Sequence, residues 1–296
     1  MQLTVGPNQF FWDIETWRDF YARIADEAPV DRVVLGELVC SKRLPFYQTA
    51  IPEAVERLVG AGKTVAMTTL ALVTLKRERN LTAELVEMGL EVEINDLSAL
   101  AHLPQGAPFS IGPLVNVYNE GTLNWLARRG AIRFCLPPEL PLSSVNALVA
   151  STNVPVETWA WGRLPLAISG RCYHARLAGR AKDNCQFVCA DDPDGRAVET
   201  LDGQEFLAVN GVQTLSGSCA NLARQLPAMR QAGVAGLRLS PQSQGFVEVC
   251  GLFRDLVEGR ISADELSAAA RDNAPGGSYS DGFIAGSAGV AWSGQI

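Results

Sequence analysis

The feature that most constrains the fold is an alternation of short apolar runs with longer amphipathic stretches. The short runs predict strands, and apolar residues at helical spacing predict the helices between them. Each connection is long enough to hold a helix, which is typical of parallel βαβ units. Seven strands are predicted within the first 160 residues, at residues 3–5, 32–35, 64–68, 90–94, 114–117, 131–134 and 154–159. Two further strands are predicted at residues 206–209 and 236–239.

A strand count near eight predicts an α/β fold, specifically a (β/α)8 TIM-like barrel. No G-x-G-x-x-G sequence follows the first predicted strand, so a doubly wound dinucleotide-binding sheet has no support. Residues 1–296 are predicted to form a single barrel domain, because no break in composition divides them. The polar segment 161–205 is interpreted as a cysteine-bearing insertion late in the barrel. The Gly- and Ser-rich segment 272–296 is interpreted as a C-terminal arm, either packed or partly disordered.

Charge and hydropathy exclude several classes of function. The net charge is −7 and no basic stripe is present, so binding to a nucleic-acid backbone is disfavoured. No run of 18 apolar residues is present, so no membrane span is expected. The first residues lack the basic and apolar regions of a signal peptide, and a cytoplasmic, reducing location is therefore expected. Cysteines in such a compartment are expected to be ligands or buried thiols, not disulfides.

Three of the seven cysteines lie close together in one polar segment, SGRCYHARLAGRAKDNCQFVC. Cys172, Cys185 and Cys189 are surrounded by charged side chains, which fits poorly with the alternative of free thiols in a core strand. Thiolates are soft ligands that suit zinc or an iron–sulfur cluster. The segment therefore predicts a metal or cluster site, and the spacing alone does not separate zinc from iron–sulfur.

A closed four-thiolate site needs one more cysteine from elsewhere in the chain. Cys40 follows the second predicted strand, and the insertion follows the seventh, so both belong at the C-terminal face of the barrel. This makes Cys40 the first choice. Cys219 is the rival, because it begins a helix predicted over residues 219–231, where a thiolate would be favoured. Cys135 and Cys250 lie in apolar runs and are predicted to pack in the core.

Other catalytic patterns are weak. The chain has two histidines, His102 and His174, and neither belongs to an H-E-x-x-H motif. No G-x-S-x-G elbow is present. The sequence therefore identifies no catalytic residue and gives peptidase chemistry little support. Several polar residues fall near the ends of predicted strands and are pocket candidates by position only, although a turn or cap role is favoured for each: Glu37, Asn95, Asn116, Glu139 and Glu157.

Three blocks of the sequence resemble the U32 "collagenase-like" peptidase family. They are ETWAWGRLPLAISGRCY at residues 157–173, the following cysteine pair, and AGVAGLRLSPQ at residues 232–242. The S-G-R-C block is the most specific part. Within the family, VGPNQFFW, GELVCSKR and NGVQTLS are similar to short members that pair with a homologous UbiU-type subunit.

The resemblance implies a [4Fe–4S] cluster held by Cys40, Cys172, Cys185 and Cys189. It also implies oxygen-independent hydroxylation of aromatic ubiquinone precursors, with prephenate as a possible oxygen donor. The expected partners are the UbiU-type subunit in a heterodimer and a small lipid-binding accessory protein that presents the precursors. The chain departs from the family at Trp161 and Pro165, where most members have a histidine and a further cysteine. This departure leaves open a non-catalytic scaffold with a structural metal site.

Overall fold

Parallel strands close into a barrel in the computed structural model, which describes residues 1–294. The strands are β1 Gln2–Val5, β2 Arg32–Leu35, β3 Thr64–Thr68, β4 Glu91–Ile94, β5 Phe109–Ile111, β6 Ala131–Cys135, β7 Val156–Gly162, β8 Pro165–Ile168, β9 Arg196–Glu199, β10 Glu205–Asn210, β11 Gln213–Ser216, β12 Cys219–Asn221, β13 Gly236–Leu239 and β14 Tyr279–Ser280. Strands β1 to β7 pair in sequence order, and β13 pairs with both β1 and β7. The barrel is therefore closed, and the predicted (β/α)8 fold is confirmed.

The helices of the described chain are α1 Ile14–Asp26, α2 Ile51–Gly60, α3 Lys76–Glu87, α4 Glu120–Arg128, α5 Leu142–Ala150, α6 Tyr173–Leu177, α7 Leu226–Ala232, α8 Phe246–Val257 and α9 Ala263–Ala269. All but α6, which lies between β8 and β9, cover the outside of the barrel. Helix α1 shows how the sequence specifies them. Asp13 caps it by accepting a hydrogen bond from the backbone N of Thr16, and Trp17, Tyr21 and Ile24 are buried at helical spacing.

Charged side chains fill part of the barrel interior. The Arg238 guanidinium contacts Glu93 at 2.6 Å and Glu157 at 3.0 Å, and all three side chains are fully buried. Arg133 pairs with Glu157 at 2.9 Å, and Arg32 lies 3.6 Å from Glu93. Buried charges are tolerated only when they are paired and hydrogen-bonded. The network therefore depends on the closed barrel, which brings β2, β4, β6, β7 and β13 together.

A second sheet lies between β7 and β13 in the chain. It is antiparallel with the order β8-β11-β10-β9, and its core includes Ala208 and Leu215 packed against Phe10 and Trp12. Strand β12 then returns to the barrel and pairs with β7 and β14. The segment between β7 and β13 thus contains a folded layer over one end of the barrel, with the three clustered cysteines between β8 and β9.

Two element predictions are wrong, and one predicted strand belongs to a different sheet. Residues 114–117 form a 3-10 turn and loop, and the fifth barrel strand is the shorter Phe109–Ile111. The strand predicted at residues 206–209 exists, but it belongs to the second sheet. The helix predicted over residues 219–231 starts later, because Cys219–Asn221 is a strand and the α-helix covers Leu226–Ala232. Its spacing of apolar residues arose from a strand and a helix in succession.

The C-terminal arm packs on the barrel over its described part. Tyr279 contacts the ring of Trp161 with centroids 5.8 Å apart and the ring of Trp292 at 5.3 Å. Ile284 is also buried. Residues 295 and 296 of the predicted arm lie outside the described residues.

Candidate functional site

The loop after β2 holds Cys40 in a fixed position. It begins at Gly36, whose φ of 119° is a conformation that favours glycine. Oε1 of Glu37 then accepts hydrogen bonds from the backbone N of Val39 at 2.7 Å and of Cys40 at 2.9 Å. Tyr47 donates its hydroxyl to the other carboxylate oxygen. The buried Glu37 therefore orders the turn that carries Cys40.

The clustered cysteines lie in two turns of the segment between β8 and β9. Cys172 caps the short helix α6, and its Sγ accepts a hydrogen bond from the backbone N of Ala175 at 3.4 Å. Between Cys185 and Cys189, Gln186 and Phe187 both have positive φ angles, 48° and 54°. Two successive non-glycine residues in this region are uncommon, and such strain is concentrated at functional sites.

Cys40, Cys172, Cys185 and Cys189 line one small cavity. Cys189 is buried, and the other three are half-buried. The remaining lining residues include the basic Lys42, Arg43 and Lys182, together with His174 and several apolar groups: Phe187, Val188, Gly211 and Val212. Cysteines from distant parts of the chain are thus brought to a single partly enclosed space at the C-terminal end of the barrel.

Arg43 is a buried cation in this cavity. Its guanidinium donates to the backbone O of Gln9 and to Oδ1 of Asn210, both at 2.8 Å, and its Nε has no partner. Burial raises the pKa of the Cys40 and Cys189 thiols, and the charge of Arg43 opposes that rise. The guanidinium therefore favours negative charge on the sulfur atoms in this cavity.

His174 lies against the same space. Its Nε2 is 2.8 Å from Oδ2 of Asp192, whereas its buried Nδ1 has no hydrogen-bond partner. Burial lowers the pKa of His174 even though the Asp192 carboxylate acts to raise it. The imidazole is therefore predominantly neutral near pH 7. The sequence indicated only that His174 belongs to no H-E-x-x-H motif, and it did not identify Arg43, whose one signal is its position three residues after Cys40.

The cysteine cavity does not show a preformed site for a metal ion among the described residues. Within residues 1–294, no group of three or more His, Cys, Asp or Glu side chains is arranged to hold one metal ion. A tetrahedral zinc site requires all four ligands within about 2.3 Å of one atom. A cluster spreads its thiolate ligands over several irons. Arg43 Nε and His174 Nδ1 provide two unpaired nitrogens against the space that such a group would fill.

The other cysteines lie apart from this cavity. Cys219 is fully buried in β12 among core residues, and its Sγ contacts the backbone O of Ala220 at 3.4 Å. The structure therefore brings Cys40, and not the rival Cys219, to the three clustered cysteines. Cys135 and Cys250 are buried, as predicted. Burial raises the pKa of Cys135 to about 12 and raises the pKa of Cys250 as well.

Positive side chains border the cysteine cavity on its exposed side. An open pocket beside Cys172 is lined by Arg171, Arg176, Arg180 and Lys182. Lys42 bridges the two cysteine-bearing segments, because its Nζ donates to the backbone O of Lys182 at 2.8 Å. In a chain of net charge −7, cations are thus concentrated beside the cysteine cavity.

The sequence profile of Peptidase family U32 matches residues 12–293, nearly the whole chain. The chain belongs to peptidase family U32. This U32 protein also has weak likenesses to solved structures. The sialic acid aldolase from Aliivibrio salmonicida is 8% identical with a TM-score of 0.47, covering 92% of this chain and 79% of that one. D-Psicose 3-epimerase from Clostridium cellulolyticum H10 is 12% identical with a TM-score of 0.32, covering 92% and 98%.

The remaining pocket candidates of this U32 protein have separate surroundings. Asn95 is buried, where its Nδ2 donates to Thr68 at 3.0 Å, and Glu157 belongs to the charged network of the barrel. Asn116 has a positive φ of 60° in the loop after β5, and Glu139 accepts from the Tyr118 hydroxyl. None of these four is among the described residues that line the cysteine cavity. Within the described chain, every helix is too short or too polar to cross a bilayer.

Proposed function

We propose that this U32 protein is a UbiV-type, [4Fe–4S]-binding subunit of an oxygen-independent hydroxylase. Its substrates would be aromatic ubiquinone precursors, its oxygen donor prephenate, and its location the cytoplasm. It would act as a heterodimer with a UbiU-type subunit, and a lipid-binding accessory protein would present the precursors. The observation that carries the proposal is that Cys40, Cys172, Cys185 and Cys189 line one cavity.

The charge of the cavity supports this assignment. Four thiolates bring several negative charges into a partly buried space, where they are costly without compensation. Arg43 is buried in the same cavity, and Lys42 and Lys182 border it. These side chains would hold a negatively charged sulfur-rich group in place, and the unpaired Nε of Arg43 can donate to it.

A bound [4Fe–4S] cluster would supply one-electron transfer. With four cysteine ligands it would have no iron left open for substrate, which favours electron transfer over direct binding of the substrate. Within this chain, Cys40, Cys172, Cys185 and Cys189 would be the ligands. His174, oriented by Asp192, would contact the cluster region from one side and limit the access of water.

The deciding experiment is iron and acid-labile sulfide analysis of protein purified without oxygen. We expect about four of each per chain and a broad visible absorption that oxygen bleaches. Replacing Cys40 with alanine should remove most of the iron and sulfide. One zinc per chain without sulfide would contradict the proposal.

Cys219→Ala is the matched control. Both variants lose one thiol, but Cys219 lies in the core away from the cavity. We expect the Cys219→Ala variant to contain as much iron as the wild-type protein, although removal of a buried side chain will reduce its stability. A Cys219→Ala variant without iron, together with an iron-loaded Cys40→Ala variant, would reverse the ligand assignment.

Trp161 favours one alternative, a scaffold subunit whose metal is structural. It stands where most family members have a histidine, and its ring is fully buried, with Nε1 donating to Gln242 at 2.7 Å. A buried indole in this position cannot transfer protons. Hydroxylation assays with each subunit alone, and with both together, distinguish a scaffold from a subunit that takes part in the reaction. A scaffold is dispensable for chemistry that its partner can perform alone.

Peptidase activity has less support. The His174–Asp192 pair lies beside cysteines, as in a cysteine hydrolase. A cysteine nucleophile, however, needs a lowered pKa, whereas burial raises the pKa of Cys40 and Cys189. Loss of peptide hydrolysis in Cys172→Ser, with iron retained, would favour this reading.

A further inference from the structure

A cavity separate from the cysteine site lies between α2 and α3. It has a volume of about 210 Å³ and reaches the C-terminal ends of β2 and β3. Most of its lining is apolar, with contributions from Leu44, Ile51, Met67, Leu81, Leu85 and Met88. Ligand sites are typically concave and mostly apolar, with a few polar groups that set orientation.

Helix α3 leaves its apolar stripe against this cavity. Leu81, Leu85 and Met88 follow one another at helical spacing and all line the space, yet none of them is buried. Met88 is 46% exposed. The side chains that α3 does bury are the polar Glu78 and Thr82. An amphipathic helix normally buries such a stripe against the core. Leu85 packs in part against the core, but Leu81 and Met88 do not, so a ligand in the cavity would complete the packing of the stripe.

The volume indicates the size of that ligand. An engineered cavity of about 150 Å³ lined by apolar side chains stays dry and binds benzene. The cavity beside α3 is somewhat larger, at about 210 Å³. It therefore has room for one aromatic ring with a short substituent.

The polar lining indicates the charge of that ligand. Glu37 and Glu84 are the ionisable side chains that line the cavity, and no Lys, Arg or His of the described chain does so. An anionic ring would enter without a compensating cation. The buried hydroxyl of Thr68 and the carboxyl group of Glu37 can instead hydrogen-bond a neutral hydroxyl substituent.

An open groove joins this cavity to the cysteine site. The groove has a volume of about 470 Å³. It shares Ser41, Leu44 and Leu81 with the cavity between the helices, and Lys42 and Phe187 with the cysteine cavity. A ring beside α3 would therefore lie one groove away from the four thiols.

We propose that the cavity between α2 and α3 binds a neutral, substituted aromatic ring of the phenol class. The α3 stripe would pack on the ring face, and the polar end near Thr68 would accept its hydroxyl. That this ring belongs to the substrate of hydroxylation rests on the function proposed above, whereas the binding itself does not.

The test is calorimetric titration of the full chain, purified without oxygen, with 4-butylphenol. We expect saturable binding of one phenol per chain. Affinity should rise about fourfold for each methylene added from 4-ethylphenol to 4-butylphenol, as apolar surface is buried. The anionic 4-butylbenzoate should bind at least about tenfold more weakly, because the cavity offers it no cation.

Two variants fill the cavity. Leu85→Trp and Met88→Trp should each weaken 4-butylphenol binding by at least about tenfold, since the indole takes the space of the ring. Met88 is partly exposed, so its replacement leaves the fold intact even if Leu85→Trp perturbs it. The control is Leu75→Trp, at the N-terminal end of the same helix and outside the cavity lining, which should leave affinity unchanged.

Absence of binding to the wild-type chain would overturn the proposal. Binding of 4-butylphenol to both filling variants with wild-type affinity would also overturn it. So would equal affinity of the wild-type chain for 4-butylphenol and 4-butylbenzoate. Iron content is measured on the same samples and separates this result from the proposed function. If the chain binds 4-butylphenol but contains no iron, the binding cavity is supported and the cluster proposal is wrong. If the chain contains iron but does not bind 4-butylphenol, the cluster proposal is supported and the binding cavity is wrong.

Discussion

At the scale of single residues, Arg43 is the side chain that joins the separate parts of the cysteine site. It follows Cys40 in the loop after β2, and it donates to Gln9 near the N-terminus and to Asn210 at the end of β10. One buried guanidinium thus connects the barrel, the N-terminal segment and the second sheet. This makes it a positioning residue for the cavity in addition to a source of positive charge.

Arg43→Met tests this role. Removing the guanidinium leaves Oδ1 of Asn210 without its donor and takes one of two donors from the Gln9 carbonyl, which still accepts from Nδ2 of Asn210. We expect the free energy of unfolding to fall by about 2–4 kcal/mol. The measurement is urea denaturation of the variant and the wild-type protein. The control is Arg57→Met, which removes an exposed ion pair with Asp26 and should hardly change the midpoint. Equal effects of the two substitutions would contradict the role of Arg43.

The sequence was informative for the cysteines but not for Arg43. Cys172, Cys185 and Cys189 could be grouped because they cluster in a polar segment, and barrel geometry placed Cys40 near them. The burial of Arg43 depends on Gln9 and Asn210, which lie far away in the chain. A local pattern predicts a lysine or arginine in a polar loop to be exposed, so no sequence signal identified this contact.

At the scale of elements, α3 is attached to the barrel less firmly than its neighbours. It buries Glu78 and Thr82, whereas α1 buries Trp17, Tyr21 and Ile24. Local opening is favoured where few apolar contacts are buried. The helix is instead held at its N-terminus, where Glu78 accepts hydrogen bonds from the backbone N of Leu75 and from Ser41.

Amide hydrogen exchange measures this difference. We expect amides in the second half of α3 to exchange at least about tenfold faster than those of α1, because opening exposes little apolar surface. Adding 4-butylphenol should slow exchange in α3 and leave α1 unchanged. Protection of α3 equal to that of α1 in the free protein would contradict this description of the helix.

Element prediction succeeded where pattern and topology agreed. Strands β2 and β3 were located to the residue, since each is a short apolar run bounded by turns. Strand β5 was missed because it has three residues and is followed by the longer apolar run at residues 114–117. The strand β12 was taken as part of a helix, because its pairing with β7 and β14 is decided by segments far apart in the sequence. Local periodicity carries no information on such pairing.

At the scale of the whole molecule, closure of the barrel is linked to the charges inside it. Although burial acts to raise the pKa of Glu157, the guanidinium groups of Arg238, Arg32 and Arg133 lower it to about 2. The pKa of Glu93 is also lowered, mainly by Arg238 against the effect of burial. These carboxylates lie on different strands, so their charges stabilise only the assembled barrel.

Acid denaturation should reveal this network. Because the folded-state pKa of Glu157 is below its ordinary value of 4.5, its contribution is complete above that pH and is lost as the pH falls toward 2. The shift corresponds to about 3 kcal/mol. We expect Glu157→Gln to lower the free energy of unfolding at pH 7 by about that amount. The difference in free energy of unfolding between the variant and the wild-type protein should become smaller by pH 3.

The measurement is urea denaturation at both pH values. Glu199→Gln, in the exposed strand β9, serves as the control and should match the wild-type protein at each pH. A constant gap between Glu157→Gln and the wild-type protein from pH 7 to pH 3 would show that the lost stability came from packing, not from the charge.

The position of β13 in the chain affects how the protein is made. A ribosome completes the second sheet and all the cysteines of the cavity before it synthesises Gly236–Leu239, the strand that closes the barrel. The growing chain must therefore hold an open sheet of β1 to β7, in which β1 is unpaired at one edge and β7 has only the short β12 to pair with at the other. Exposed strand edges pair readily with other chains. Nascent chains arrested between Asn221 and Gly236 should consequently depend on chaperones more than shorter or finished ones.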